Sequence, residues 1–131
     1  MERYKIGQSA SFSKTVTETD IYVFAGICGD FNPVHINKVE AEKSIFGKPV
    51  AHGLLCASFI STVIGTQLPG PGTIYMEQNL RFLKPVYIND TVTATVEIEE
   101  LYANGNAKLI TLVHNQNAEI VISGTALVKL P

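Results

Sequence analysis

Asp30 and His35 stand five residues apart around Asn32-Pro33. A carboxylate and an imidazole at that spacing suit general acid–base chemistry: imidazole titrates near neutral pH, and burial can bring a carboxylate towards the same range. Pro33 has no N–H and biases Asn32 towards extended geometry, so the segment cannot continue a preceding helix and reads as an ordered loop. A stiff turn of this kind can aim both side chains at one point. Spacing alone favours a plainer reading, in which Asp30 caps a turn and His35 is a surface residue.

Two more features carry possible chemistry. His52-Gly53 opens the most apolar segment of the chain. A helix starting there has free N–H groups and a partial positive charge in its first turn. Gly53 would let a substrate come close to its own N–H, which suits an oxyanion hole for a carbonyl turning into an enolate. A glycine needed only for packing is an equally good account, and His52 suits a supporting role better than that of a second base. Further along, Ser58, Ser61 and Thr62 share a helix face, but hydroxyls in such positions usually bond back to helix carbonyls. No GxSxG elbow, GxGxxG, P-loop or HExxH spacing is present, so a serine hydrolase, a nucleotide-phosphate site and a metal centre are unsupported.

These groups need elements to hold them. Residues 10–16 read as a strand. Thr17 and Asp20 form a capping-box pattern ahead of a helix carrying Ile21, Phe24 and Cys28, with Gly29 as its stop. A short helix follows Asn37, with Glu40 completing its cap, and ends near Gly47. Residues 51–67 form a long helix, apolar nearly all round and therefore centrally buried, which Pro69-Gly70-Pro71-Gly72 ends. The second half is strand-like. Val92, Ala94, Val96 and Ile98 alternate with Thr91, Thr93, Thr95 and Glu97. Residues 74–83, 107–114 and 119–129 are three further strands, with a hairpin turn at Asn104-Gly105-Asn106. The expected architecture is α+β: an antiparallel sheet wrapped on one long helix.

The 131 residues make a single domain, 1–131, and 46% hydrophobic residues supply a substantial core. A net charge of −2 with no basic cluster argues against nucleic acid as a partner, and no apolar run is long enough to span a membrane. The N-terminus lacks the apolar run of a signal peptide. Cys28 and Cys56 read as two buried free thiols in a reducing compartment, hence a cytoplasmic protein.

The loop and its surroundings also resemble a known family. Phe24, the run Gly29-Asp30-Phe31-Asn32-Pro33-Val34-His35, and Ala41 are similar to the hydratase-2 motif of MaoC-like proteins, which include the (R)-specific enoyl-CoA hydratases. The similarity continues through Gly47 to Ser58, Leu68 to Gly72 and Tyr75 to Val86, and so covers almost the whole chain. It implies a hot-dog fold that dimerises through paired sheets. It further implies an Asp30–His35 dyad holding one water against C3 of a trans-2-enoyl thioester, with the Gly53 N–H on the thioester carbonyl. Asn32 would fix the loop, and Ser61 matches a helix hydroxyl near the dyad. The implied reaction is reversible hydration of enoyl-CoA to (R)-3-hydroxyacyl-CoA. It needs no cofactor, since CoA is part of the substrate. Lys48, Arg81 and Lys84 are candidates for the CoA phosphates. A thioesterase or a non-catalytic acyl-thioester-binding module on the same fold are the competing readings.

Overall fold

The computed structural model describes residues 3–131. It runs in the order β1 (Ser9–Thr15), α1 (Glu18–Cys28), α2 (Pro33–Ile36), α3 (Lys38–Lys43), α4 (Gly53–Thr66), β2 (Ile74–Gln78), β3 (Arg81–Phe82), β4 (Thr91–Leu101), β5 (Asn106–His114) and β6 (Ile120–Lys129). The strands pair antiparallel in the order β1-β4-β5-β6-β2, and β3 adds to β6.

The sheet follows its sequence pattern closely. Val92, Ala94, Val96 and Ile98 of β4 are fully buried, while the residues between them face outwards. In β5 the buried set is Ala107, Leu109, Thr111 and Val113. Both faces rest on α4, which buries Leu55, Cys56, Phe59, Ile60, Val63 and Ile64. Phe59 meets Phe12 of β1 edge to face, with ring centroids 6.0 Å apart. Each such side chain contributes about 1.5–3 kcal/mol on leaving water, so this contact holds the sheet around the helix. A curved sheet wrapped on one central helix is the hot-dog fold.

Three expectations are corrected. First, α4 is not covered on every side: Leu54, Ser58, Ser61 and Gly65 form an outward stripe. The helix is also shorter than residues 51–67, because Ala51 donates its N–H to the Val86 carbonyl (2.7 Å) and His52 is still extended. Second, residues 74–83 are two strands. Asn79 breaks them by turning onto β6, where its side chain pairs with both the N–H and the hydroxyl of Thr125 (3.1 and 2.6 Å). Its carbonyl presses so close to β6 that a Cβ at Gly124 would lie 1.9 Å away, so only glycine fits there. Third, Cys28 is exposed at the end of α1; only Cys56 is buried.

Helix α1 has the expected capping box. The Thr17 hydroxyl accepts from the Asp20 N–H (3.1 Å), and the Asp20 carboxylate accepts from the Thr17 N–H (3.0 Å). Lys14 reaches the same carboxylate at 2.8 Å. The Lys14 ammonium, then the Thr17 N–H, hold the Asp20 carboxyl below the usual carboxylate range. At the far end Gly29 takes a left-handed conformation (φ 80°) and closes the helix with an N–H bond to the Ala25 carbonyl. That stop delivers the chain directly to Asp30.

Candidate active site

The Asp30–His35 segment is more ordered than a loop. Asn32 caps a single helical turn, α2, by accepting from the Val34 N–H (3.3 Å), and Pro33 occupies its first position, where a missing N–H costs nothing. His35 therefore stands on a helical turn, which corrects the loop expectation. Asp30 uses one carboxylate oxygen to accept from the Asn32 N–H (3.1 Å), and its other oxygen stays open. Asn32 thus touches both members of the pair, since its carbonyl also accepts from the His35 N–H (2.9 Å).

His35 is held in one tautomer. Its Nδ1 lies 2.7 Å from the Val50 carbonyl, which can only accept, so Nδ1 carries the proton. Its Nε2 then has the free lone pair and faces the open Asp30 oxygen at 4.0 Å. That gap is too wide for a direct hydrogen bond and suits a bridging water. The His35 side chain is 12% exposed and that of Asp30 51%.

His52 braces both. Its Nε2–H donates to the Asp30 backbone carbonyl (2.9 Å), and its ring stacks on His35 with centroids 3.8 Å apart. Phe24 of α1 also meets the buried His52 ring in a T-shaped contact, with centroids 4.9 Å apart. His52 is also the N-cap residue of α4, but it places no side-chain atom on the first-turn N–H groups. The Leu55 N–H turns back to the His52 carbonyl (3.1 Å), while those of Gly53 and Leu54 stay available to a ligand.

A cavity of about 740 Å³ brings these residues together. Asp30, Asn32, His35, His52 and Gly53 share it with apolar walls from Phe24, Val86, Phe82 and Leu83. Cys56 lines it too; burial, and to a lesser extent the Asp90 charge, push its thiol up to about 12, so it is a wall and not a nucleophile. The carboxylate and two imidazoles also lie close enough to suggest a metal site. However, one nitrogen of each ring is already committed to a carbonyl, so the geometry suits proton transfer better.

The remaining candidates divide. Lys84 lines the cavity, paired with Glu119 at 2.5 Å. Lys48 lies outside its lining, with its ammonium 4.4 Å from the Tyr87 ring centroid. Arg81 is exposed on β3 and also outside the lining. Ser61 is on the outward stripe of α4, eight residues from Gly53 and so about 12 Å along the helix, and does not line the cavity within this chain. Ser58 bonds back to the Leu55 carbonyl (2.5 Å), as helix hydroxyls commonly do. Phe24 and Phe82 stand in the stretches that carry the resemblance, but their places in the site, like that of the Val50 carbonyl, escaped the sequence reading. None has a chemical signature; each matters only through its place in the fold.

A hot-dog domain thus sets an acid–imidazole pair beside an open helix N-terminus, an arrangement chemically suited to moving a proton beside a carbonyl. Residues 3–119 match the family described as MaoC like domain, and the chain belongs to it. It is 47% identical over 130 residues to an (R)-specific enoyl-CoA hydratase of Rhodospirillum rubrum, covering 99% of this chain and 90% of that one. An (R)-specific enoyl-CoA hydratase of Aeromonas caviae is 40% identical over 97% of this chain and 96% of its own length. The solved structure of the A. caviae (R)-hydratase superposes with a TM-score of 0.96, 39% identity and full coverage of both chains.

Proposed function

We propose that this chain catalyses the reversible addition of water to trans-2-enoyl-CoA, giving (R)-3-hydroxyacyl-CoA. The observation that carries the reading is the fixed His35 tautomer, with a bare Nε2 4.0 Å from an open Asp30 oxygen at a cavity that also holds the Gly53 N–H. Two acceptors at that distance each receive one O–H of a single water, whose oxygen then faces the substrate. His35 Nε2 takes one proton as the oxygen bonds to C3. The double-bond electrons move to C2 and the thioester oxygen, where the Gly53 N–H stabilises the enolate. The enolate collapses as His35 Nε2 passes the proton it took from water to C2, so one water is added and the dyad is regenerated. The Asp30 carboxylate stabilises the imidazolium while it exists.

The relatives named above support the reaction and its hand. Lys84 at the cavity is the best-placed cation for a CoA phosphate once Glu119 yields it. The protein acts as a homodimer: Ile74, Tyr75 and Met76 on edge strand β2 are exposed large apolar residues. Buried, unpaired Cys56 suits a reducing, cytoplasmic setting.

A series of trans-2-enoyl-CoA substrates of rising chain length, with chiral analysis of product, tests the reading. Loss of the enoyl absorbance with an (R)-3-hydroxyacyl product is expected. Release of free CoA thiol from saturated acyl-CoA would instead identify a thioesterase, and ligand-induced thermal stabilisation without turnover a binding module.

A further inference from the structure

We propose that Phe82 is a positioning residue of the thioester-carbonyl site, holding an apolar wall against the first residue of α4; this rests on the reading above. Position 53 has ordinary helical backbone and is not among the positive-φ glycines, so backbone conformation does not require glycine there. Nor is the space beside its Cα left open for substrate. A Cβ on Gly53 would lie 2.5 Å from both Cδ1 and Cε1 of Phe82, and 3.4 Å from its Cγ. The ring occupies the volume that a side chain at position 53 would need.

The ring is delivered from a fixed backbone. Phe82 pairs with Ile122 across β3 and β6, and the next residue, Leu83, donates its N–H to the Val121 carbonyl at 2.8 Å. Ile122 is itself buried. Phe82 nevertheless stays 53% exposed and lines the cavity beside Gly53, His52 and Asp30. A half-exposed aromatic ring pressed on a helix start is poorly explained by core packing. Its place is explained by what happens at the Gly53 N–H. Negative charge gathers on the thioester oxygen as water adds, and a donor bond to that oxygen is strongest where bulk water is kept away. The ring screens that bond from one side and limits how the carbonyl can lie. An alanine methyl at position 53 would drive the ring off, so changes at either position cause one shared defect.

The test is a kinetic and thermal cycle of Phe82→Ala, Gly53→Ala and the double variant, with Phe82→Tyr as the conservative control. With crotonyl-CoA, Phe82→Ala should lower kcat about 10–100-fold while KM moves by less than about threefold, because the lost interaction belongs to the transition state. Phe82→Tyr, which keeps the ring, should hold kcat near the parent value. The double variant should be no slower than the slower single one. Melting temperatures give a second readout that does not depend on activity: Gly53→Ala should lower the parent's melting point, and that loss should vanish in the Phe82→Ala background. Unchanged kcat in Phe82→Ala, or kinetic losses that multiply in the double variant, would overturn the proposal. So would an equal thermal loss from Gly53→Ala in both backgrounds. If the parent protein itself fails to hydrate crotonyl-CoA, the hydratase reading fails, while the thermal cycle still decides whether the ring governs position 53.

Discussion

The chemistry at Asp30 and His35 depends on atoms far from them in sequence. His35 can act as a base at Nε2 because the Val50 carbonyl, fifteen residues on, holds the proton on Nδ1. Spacing alone left the pair more plausibly ornamental. The surrounding Gly29-Asp30-x-Asn32-Pro33-x-His35 pattern singled it out, yet nothing in that pattern reveals the carbonyl that sets the tautomer or the His52 ring stacked on it. Those partners were illegible because a backbone carbonyl has no residue type, and because α4 must first be seated before His52 meets His35. The cysteines diverge for a similar reason: both sit in apolar stretches, but Cys28 ends a surface helix while Cys56 faces the core. Cys56 is buried with its thiol pushed up to about 12, so in the native protein a thiol reagent near neutral pH should label one cysteine, Cys28. Mass spectrometry of the labelled chain checks this, with Cys56 reacting only after denaturation. Equal labelling of both would contradict the packing described.

The elements were the most readable part of the sequence. Alternation marked β4, and the Thr17–Asp20 capping box and Gly29 stop bracketed α1, because both signals are local. The break between β2 and β3 was hidden, since Asn79 leaves the strand only by bonding to Thr125 on β6, which lies forty-six residues later. The α1 cap makes a prediction at this scale. The folded protein holds the Asp20 carboxyl below its usual range, through Lys14 first and the Thr17 N–H second. A group depressed in this way contributes stability that is present above the unfolded carboxylate value and lost as pH falls through the lower folded one. Asp20→Asn should therefore cost about 1 kcal/mol near neutral pH, and the gap to the parent should shrink progressively as pH falls below the ordinary carboxylate value of 3.8. Thermal melts of both proteins across that range measure it; a gap that stays constant with pH would assign the loss to something other than the carboxylate charge.

At the scale of the whole molecule, one helix inside one curved sheet leaves the outward stripe of α4 and edge strand β2, with its exposed Ile74, Tyr75 and Met76, uncovered among the described residues. A second copy laid edge to edge would cover the strand. Sedimentation equilibrium should then give about twice the 14.2 kDa of the chain, and Ile74→Lys with Met76→Lys should shift it towards monomer. A monomer at all concentrations would contradict this. The same fold brings Asp30 and His35, from one segment, and Gly53, from another, to one cavity, and the proposed reaction depends on that convergence. Its most direct test is hydration of crotonyl-CoA by the parent, Asp30→Asn and His35→Ala proteins side by side. Each variant should remain folded and lose about 10²–10⁴-fold in kcat. Parent-like turnover in both variants would contradict the assignment of the chemistry to this pair.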